Sequence, residues 1–156
     1  MLIKDYMRTN VATIPVDVTF REALERLLDD QTNGMIVTKS ETDLEPVGVL
    51  TSFHLVKAVV PAHLHAKADL AQFAGGNQFE EWVQDAEHTP LKDIMQPLPH
   101  ERWLHEDDTM EKAVAFSAQD NLLYIPVVNR PDHKMIGLIS RTDIKKAMAH
   151  IIGREF

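Results

Sequence analysis

The chain has no cysteine among its 156 residues. A disulfide frame, a thiolate metal site and a cysteine nucleophile are therefore excluded, and a reducing compartment suits the composition. No apolar stretch is long enough to cross a bilayer, and the start, MLIKDYMRTN, lacks the apolar segment of a secretion signal. The sequence thus predicts a cytoplasmic protein that does not enter a membrane.

Glycine is scarce, with six residues, and the only close pair is Gly75-Gly76. The glycine-dependent motifs GxSxG, GxxxxGK(S/T) and GxGxxG are missing, which argues against the hydrolase, phosphate-loop and dinucleotide sites they build. Eight histidines are present, including His63 and His65, but no HExxH or cysteine cluster accompanies them, so no metal site is predicted. A non-catalytic role is favoured, and an enzyme with an unrecognised site is the least favoured hypothesis.

Basic side chains are also few, 16 against 24 acidic ones, which gives a net charge of -8. This balance works against non-specific binding to nucleic acid. One local cluster, SRTDIKK, contains Arg141, Lys145 and Lys146 and can still hold a small anion. For the two lysines a solvated helix face is the favoured interpretation.

The most informative feature is an internal repeat. Four segments recur in the same order at an offset of 88 to 90 residues. The pairs are IKDYM (3–7) with LKDIM (91–95), VTFREA (18–23) with DTMEKA (108–113), MIV (35–37) with IPV (125–127), and VGVLT (47–51) with IGLIS (136–140). The chain is therefore interpreted as a duplication.

Each copy has the same predicted order of strand, helix, strand, strand, helix. Thr19 with Glu22 forms a capping-box signature, and apolar residues follow it at helical spacing. In the second copy the predicted N-cap of the equivalent helix is Asp108 or Thr109. The extended stretches are VATI (11–14) and RWLH (102–105), the hairpins pair GMIVT with PVGVLT and YIPVV with MIGLIS, and the closing helices are 52–60 and 141–152.

A segment of a different kind lies between the copies. Residues 61–88 read as two short helices broken at Gly75-Gly76. Its apolar side chains predict packing against the core or a partner chain: Leu70, Phe73, Phe79, Trp82 and Val83. The predicted division is repeat 1 at 1–60, a helical insert at 61–88 and repeat 2 at 89–156.

Two phrases of the form G-h-h-(S/T)-x-x-x-h, where h is apolar, carry a family resemblance. They run from Gly48 to Leu55 and from Gly137 to Ile144, and they accompany the strand IPV and the (I/L)KDxM openings. With these motifs the chain resembles a tandem pair of CBS domains, named after cystathionine β-synthase. The resemblance implies an α/β (α+β) fold of two β-α-β-β-α repeats about a pseudo-twofold axis, with two clefts between them. It also implies a homodimer and adenosine-containing ligands in the clefts.

The second copy carries the more complete set of expected ligand residues. Ser140 ends a strand where a helix begins, so free amides and Arg141 suit a phosphate. Asp143 can accept hydrogen bonds from both hydroxyls of a ribose. An apolar slot for the base is expected from Tyr124, Ile125, Pro126 and Val127, and Trp103 either stacks on the base or, as the favoured alternative, packs in the core. Without a ligand, Ser140 and Asp143 are simply a helix start.

The first copy departs from this pattern at two positions. His54 stands where the second copy has Asp143, and Ile36 stands where it has Pro126. An imidazole offers no bidentate anionic acceptor, so a weaker or different site is expected. His54 either makes that site sensitive to pH or is an ordinary hydrogen-bonded histidine. The residues of this weaker site are Ile14, Met35, Ile36, Thr51 and His54.

Three hypotheses remain. The first is a regulatory module that needs no cofactor, binds AMP, ADP, ATP or S-adenosylmethionine, and signals to an unknown regulated protein. The second is a structural dimerisation module without a ligand, and the third is the enzyme. The apolar residues of the closing helices are the expected dimer contacts, unless they close the monomer core: Val56, Val59, Val60, Met148, Ile151 and Ile152.

Overall fold

A computed structural model describes residues 1–154, and the predicted α/β fold is confirmed. The end of the predicted repeat 2, residues 155 and 156, lies outside the described residues. The α-helices are α1 (Phe20–Asp29), α2 (Ser52–Val59), α3 (Gln78–Ala86), α4 (Met110–Asp120) and α5 (Arg141–Ile151). The strands are β1 (Thr13–Pro15), β2 (Gly34–Thr38), β3 (Pro46–Thr51), β4 (Gln96–Pro97), β5 (Tyr124–Val128) and β6 (Met135–Ser140).

The first repeat forms as its sequence pattern predicts. The Thr19 side chain accepts a hydrogen bond from the Glu22 amide and starts α1, which buries Phe20, Ala23 and Leu27. Strand β1 runs parallel to β2, and β2 is antiparallel to β3. A crossover helix between two parallel strands of one sheet covers a face of that sheet.

The first strand of the second repeat is shorter than the sequence predicts. The expected strand at 102–105 is reduced to one parallel bridge, in which the Leu104 amide donates to the Pro126 carbonyl and the Val128 amide donates to the Leu104 carbonyl. The preceding residues form a 3-10 helix, His100–Arg102, and so are not available to extend the strand. Strands β5 and β6 pair as the predicted antiparallel hairpin.

The repeats exchange backbone pairing through the segments that open them. Strand β4, from the second repeat, pairs with β3 of the first, and Arg8 forms the equivalent bridge with Leu138 of β6. A Cβ atom on Gly137 would lie 2.6 Å from the Arg8 carbonyl oxygen, and one on Gly48 would overlap the sulfur of Met95. The glycine of each G-h-h-(S/T) phrase is therefore required where the opening of the other repeat crosses the strand.

The hydrophobic core also crosses between the repeats. Ile3, at the start of the chain, is fully buried in a cluster with Ile125 and Ile139 of the second repeat. Leu91 is fully buried in the other cluster, with Ile14 and Leu50 of the first repeat. Each repeat thus depends on apolar side chains of the other to complete its core.

The insert packs against the rest of the chain through only some of its apolar residues. Two 3-10 helices, Ala62–Leu64 and Ala68–Phe73, replace the first of the two expected helices, and α3 follows the predicted break at Gly75-Gly76. Leu64 and Ala86 are buried, and Trp82 and Val83 are partly buried. Three apolar residues remain exposed in this chain, so for them only the other expected alternative, packing against a partner chain, stays a prediction: Leu70, Phe73 and Phe79.

Candidate ligand clefts between the repeats

Two cavities lie at equivalent places between the repeats, and each is lined by both. We name them the His54 cleft and the Arg8 cleft. The His54 cleft has a volume of about 650 Å³ and the Arg8 cleft about 210 Å³. The Arg8 cleft is lined by Arg8, Val11, Ala12, Asp30, Thr32, Gly34, Met35, Tyr124 and Leu138. The larger cavity therefore belongs to the altered phrase of the first repeat.

Asp143, the expected ribose acceptor, is buried and held by groups of the protein itself. One carboxylate oxygen accepts hydrogen bonds from the Ser140 amide (2.9 Å) and hydroxyl (2.8 Å), and the Ser140 hydroxyl oxygen accepts from the Asp143 amide (3.2 Å). The other oxygen accepts from Arg8 Nε at 3.0 Å. A sugar hydroxyl must therefore compete with Arg8 for this carboxylate.

His54 has the same capping role in the first repeat. Its Nδ1 accepts a hydrogen bond from the Thr51 amide at 2.9 Å, as Asp143 accepts from Ser140. Burial of the ring, and secondarily the positive charge of Lys57, hold the pKa of His54 below its ordinary value. The ring is therefore neutral at pH 7, with its proton on Nε2.

The His54 cleft has a mixed polar lining with two cationic and two acidic side chains. Lys57 and Arg141 are its cationic residues, and Asp93 and Asp120 its acidic ones. Asp120 forms an ion pair with Arg102, which leaves Asp93 as the cleft's other acid. The full lining is Asn33, Thr51, Ser52, Phe53, His54, Lys57, Ala58, His65, Asp93, Ile94, Met95, Gln96, Asp120, Asn121, Leu123 and Arg141.

The sequence grouped the site residues by repeat, and the cavities do not follow that grouping. Arg141, expected in the intact second-copy site, lines the His54 cleft and donates to the Asn121 side chain. Met35, expected in the weaker first-copy site, lines the Arg8 cleft beside Tyr124. The grouping is corrected because each cleft lies between repeats and draws its walls from both.

The remaining predicted residues divide between cleft and core. Thr51 lines the His54 cleft together with His54. Tyr124 lines the Arg8 cleft, where its ring lies against Gly34. The predicted residues that are buried within the fold, outside the lining of either cleft, are Ile14, Ile36, Ile125, Pro126, Val127, Ser140 and Asp143.

Trp103 lies outside the lining of both clefts. It borders a third cavity of about 720 Å³, with its ring centroid 5.4 Å from that of His133 and 6.0 Å from that of His100. The ring is partly buried against the core of the second repeat. This placement agrees with the packing alternative for Trp103.

Sequence reasoning missed three cleft residues, two of which the repeat could have indicated and one of which follows from helical spacing. Arg8 and Gln96 directly follow the matched IKDYM and LKDIM openings, so the alignment places them opposite each other. In the structure they occupy the equivalent position in the two clefts. Lys57, three residues after His54, is the third, and its spacing puts it on the same face of α2.

Two further findings concern residues 1–154. Within this range no group of three or more histidines and carboxylates is arranged to hold a metal ion. Each helix of the described part is too short or too polar to span a lipid bilayer.

Comparison with known proteins identifies the family. A model described as "CBS domain" matches twice, at residues 3–61 and 91–150. The protein therefore belongs to the CBS domain family, and its two matched regions form a tandem pair. A comparison with curated proteins finds no match.

Solved structures with a similar fold include CBS-pair proteins of low sequence identity. The chain is similar to CBSX2 from Arabidopsis thaliana, with a TM-score of 0.72, 18% identity, and coverage of 99% of this chain and 98% of that one. A structure of CBSX2 in complex with AMP gives a TM-score of 0.67 and 20% identity over 97% and 98%. The CBS pair of protein MJ0100, in complex with 5-methylthioadenosine and S-adenosyl-L-methionine, gives 0.68 and 18% over 97% and 98%.

Proposed function

We propose that this protein is a regulatory module that binds an adenosine-containing ligand between its repeats and transmits the binding to a partner protein. The observation that carries the proposal is the His54 cleft, because this cavity of about 650 Å³ has polar walls from both repeats. Structures of CBS pairs with AMP and with S-adenosyl-L-methionine support the choice of ligand class. The ligand candidates are AMP, ADP, ATP and S-adenosylmethionine.

The position of the cleft suggests how binding becomes a signal. Thr51 and His54 come from the first repeat, and Asn121 and Arg141 from the second. A ligand that touches both walls stabilises one relative arrangement of the repeats. Only a difference in affinity between two arrangements shifts their populations, so the signal depends on contacts that both repeats make together.

A panel of ligands tests this function. Thermal unfolding of the full chain is measured with AMP, ADP, ATP and S-adenosylmethionine, with guanosine monophosphate as the control ligand. A ligand that binds the native state at 100 times its Kd adds about 2.7 kcal/mol of stability, which raises the Tm by several degrees. Calorimetry then gives the stoichiometry.

A structural dimerisation module is the second candidate, and two observations favour it. Asp143 is already paired with Arg8, and the closing helices expose apolar side chains. Under this alternative none of the adenosine ligands changes the Tm, while the protein still sediments as a dimer. The ligand panel and sedimentation together separate the two functions. A homodimer formed through α2 and α5 is part of both proposals.

A further inference from the structure

His54 and Asp143 stand at the same position of the repeat but offer opposite hydrogen-bonding groups. Both are the third residue of a helix and both accept a hydrogen bond from the residue that caps it. The carboxylate of Asp143 can only accept hydrogen bonds. In His54 the Thr51 amide donates to Nδ1, so the neutral ring has Nε2–H as its remaining polar group. An acceptor position in one copy is therefore a donor position in the other.

This change removes from the His54 cleft the anionic acceptor that could take both sugar hydroxyls, and leaves an Nε2–H group that can donate to one hydroxyl oxygen at most. A ribose presents two O–H donors that a carboxylate can accept together, whereas an Nε2–H group cannot accept either of them. Hydrogen bonds to charged groups are about twice as strong as neutral ones. Loss of the carboxylate therefore greatly reduces the preference for a ribose over a 2′-deoxyribose. His54 instead favours an acceptor with negative charge.

The other charges of the cleft favour the same kind of ligand group. Lys57 lies one turn after His54 on α2, and Arg141 lies on the opposite wall at the start of α5. The facing acids are Asp93 and Asp120, and Arg102 already pairs with Asp120. Two cations and a ring N–H therefore face one uncompensated carboxylate, which suits a phosphoryl group.

Resting on the proposed function, we propose that the His54 cleft selects its adenosine ligand by the phosphoryl groups and discriminates little between ribose and 2′-deoxyribose. His54 is the residue that determines this specificity, through its Nε2–H group. Lys57 and Arg141 supply the charge that holds the phosphoryl oxygens. A nucleoside without phosphate lacks the group that the cleft recognises.

Calorimetry of the full chain with ADP, 2′-deoxy-ADP and adenosine tests the proposal. We expect ADP and 2′-deoxy-ADP to bind with Kd values within about threefold of each other, and adenosine to bind at least tenfold more weakly. The variant His54→Asp recreates the carboxylate of the second copy. It should prefer ADP over 2′-deoxy-ADP by about tenfold or more, because it gains a charged acceptor for the sugar hydroxyls.

Lys57→Ala tests which cavity is occupied, with Lys67→Ala as the control. Lys57 lines the cleft, whereas Lys67 is an exposed lysine of the insert outside its lining. We expect Lys57→Ala to weaken ADP and 2′-deoxy-ADP equally, by about fivefold or more, and Lys67→Ala to change neither. If His54→Asp does not fold, judged by circular dichroism, the lysine pair and the wild-type Kd values still decide the question.

The possible failures are distinguishable. If wild-type protein binds ADP but rejects 2′-deoxy-ADP by tenfold or more, the specificity proposal is overturned while the proposed function stands. An ADP affinity that Lys57→Ala leaves unchanged places the ligand elsewhere and also overturns it. If ADP, AMP, ATP and S-adenosylmethionine all fail to bind, the proposed function fails, and the specificity proposal fails with it.

Discussion

At the scale of single residues, protonation of His54 makes the stability of the first repeat depend on pH. Nδ1 accepts the Thr51 amide only in the unprotonated state, and burial with the charge of Lys57 lowers the pKa of His54. The unfolded state therefore binds a proton more readily than the folded state. The stability contributed by neutral His54 is present above the unfolded pKa, about 6.5, and is lost as the pH falls through the lower folded pKa.

We predict that His54→Gln reduces the loss of stability on acidification. Glutamine can accept the Thr51 amide without titrating, so the cap persists at low pH. Urea unfolding of both proteins at pH 7.5 and pH 5.0 measures the free energy of unfolding. Wild type should lose more stability than the variant between these conditions. An equal loss in the two proteins would show that other groups account for the pH dependence.

The contact between Arg8 and Asp143 gives a second prediction at this scale. Asp143 is buried, and its side chain is only 5% exposed, so a glutamine in place of Arg8 removes the cationic partner of a buried carboxylate. Arg8→Gln, which copies the residue of the other cleft, should lower the free energy of unfolding by about 1–3 kcal/mol. Urea unfolding measures the change.

Arg130→Gln is the matched control for Arg8→Gln. Arg130 pairs with Asp107 at 2.6 Å, but both side chains are more than half exposed. An exposed ion pair contributes about 0–1 kcal/mol, so this variant should change stability little. Equal effects of the two substitutions would mean that burial of Asp143 does not make its pairing stronger.

At the scale of secondary-structure elements, the crossing of β6 by the opening segment of the first repeat depends on Gly137. An alanine Cβ there would lie 2.6 Å from the backbone oxygen of Arg8, which cannot move without breaking its pairing with Leu138. Gly137→Ala should therefore destabilise the fold by about 1–3 kcal/mol. Gly75→Ala is the control, since a Cβ at that position has no neighbour within 4 Å. Thermal unfolding compares the two variants, and a neutral Gly137→Ala would refute the close crossing.

The C-terminal end of helix α2 is also held by a residue of the insert, which lies outside both repeats. His65, in the insert, makes hydrogen bonds from Nε2 to the carbonyl oxygens of Lys57 (3.0 Å) and Val60 (2.8 Å). These bonds satisfy acceptors that the end of a helix leaves free. The insert thus helps to hold the end of the helix that carries His54 and Lys57.

At the scale of the whole molecule, the exposed apolar residues of α2 and α5 bear on assembly. Val56 is 62% exposed and Met148 52%, so these side chains do not close the monomer core. We predict that the protein is a homodimer and that Val56→Glu combined with Met148→Glu converts it to a monomer, because buried unpaired charges oppose association. Sedimentation equilibrium gives the molecular mass.

A substitution on the insert is the control for this prediction. Phe73 is 77% exposed and lies outside α2 and α5, so Phe73→Glu should remain a dimer. Dissociation by Phe73→Glu, with no effect of the double variant, would place the interface on the insert. A wild-type chain that sediments as a monomer would contradict the homodimer itself.

The sequence by itself determined the features that depend on neighbours along the chain. The caps at Thr19 and Ser140 follow from hydrogen bonds between residues three apart, and the apolar spacing of α1 follows from its helical period. The repeated phrases indicated the duplication and, through the resemblance to the CBS family, the fold and the importance of positions 54 and 143. The donor character of His54 needed the structure, because it depends on which ring nitrogen the Thr51 amide contacts.

Only the tertiary structure decided how the two copies combine into clefts. The hydrogen bond from Arg8 to Asp143 joins residues 135 positions apart, and no local pattern specifies it. Arg141 lines the His54 cleft and Met35 the Arg8 cleft because each cavity forms where the repeats meet. Each cavity is lined by residues from separate parts of the chain, so its volume depends on distances between them. Local periodicity does not contain that distance information, so the larger cleft could not be assigned to the altered copy from the sequence.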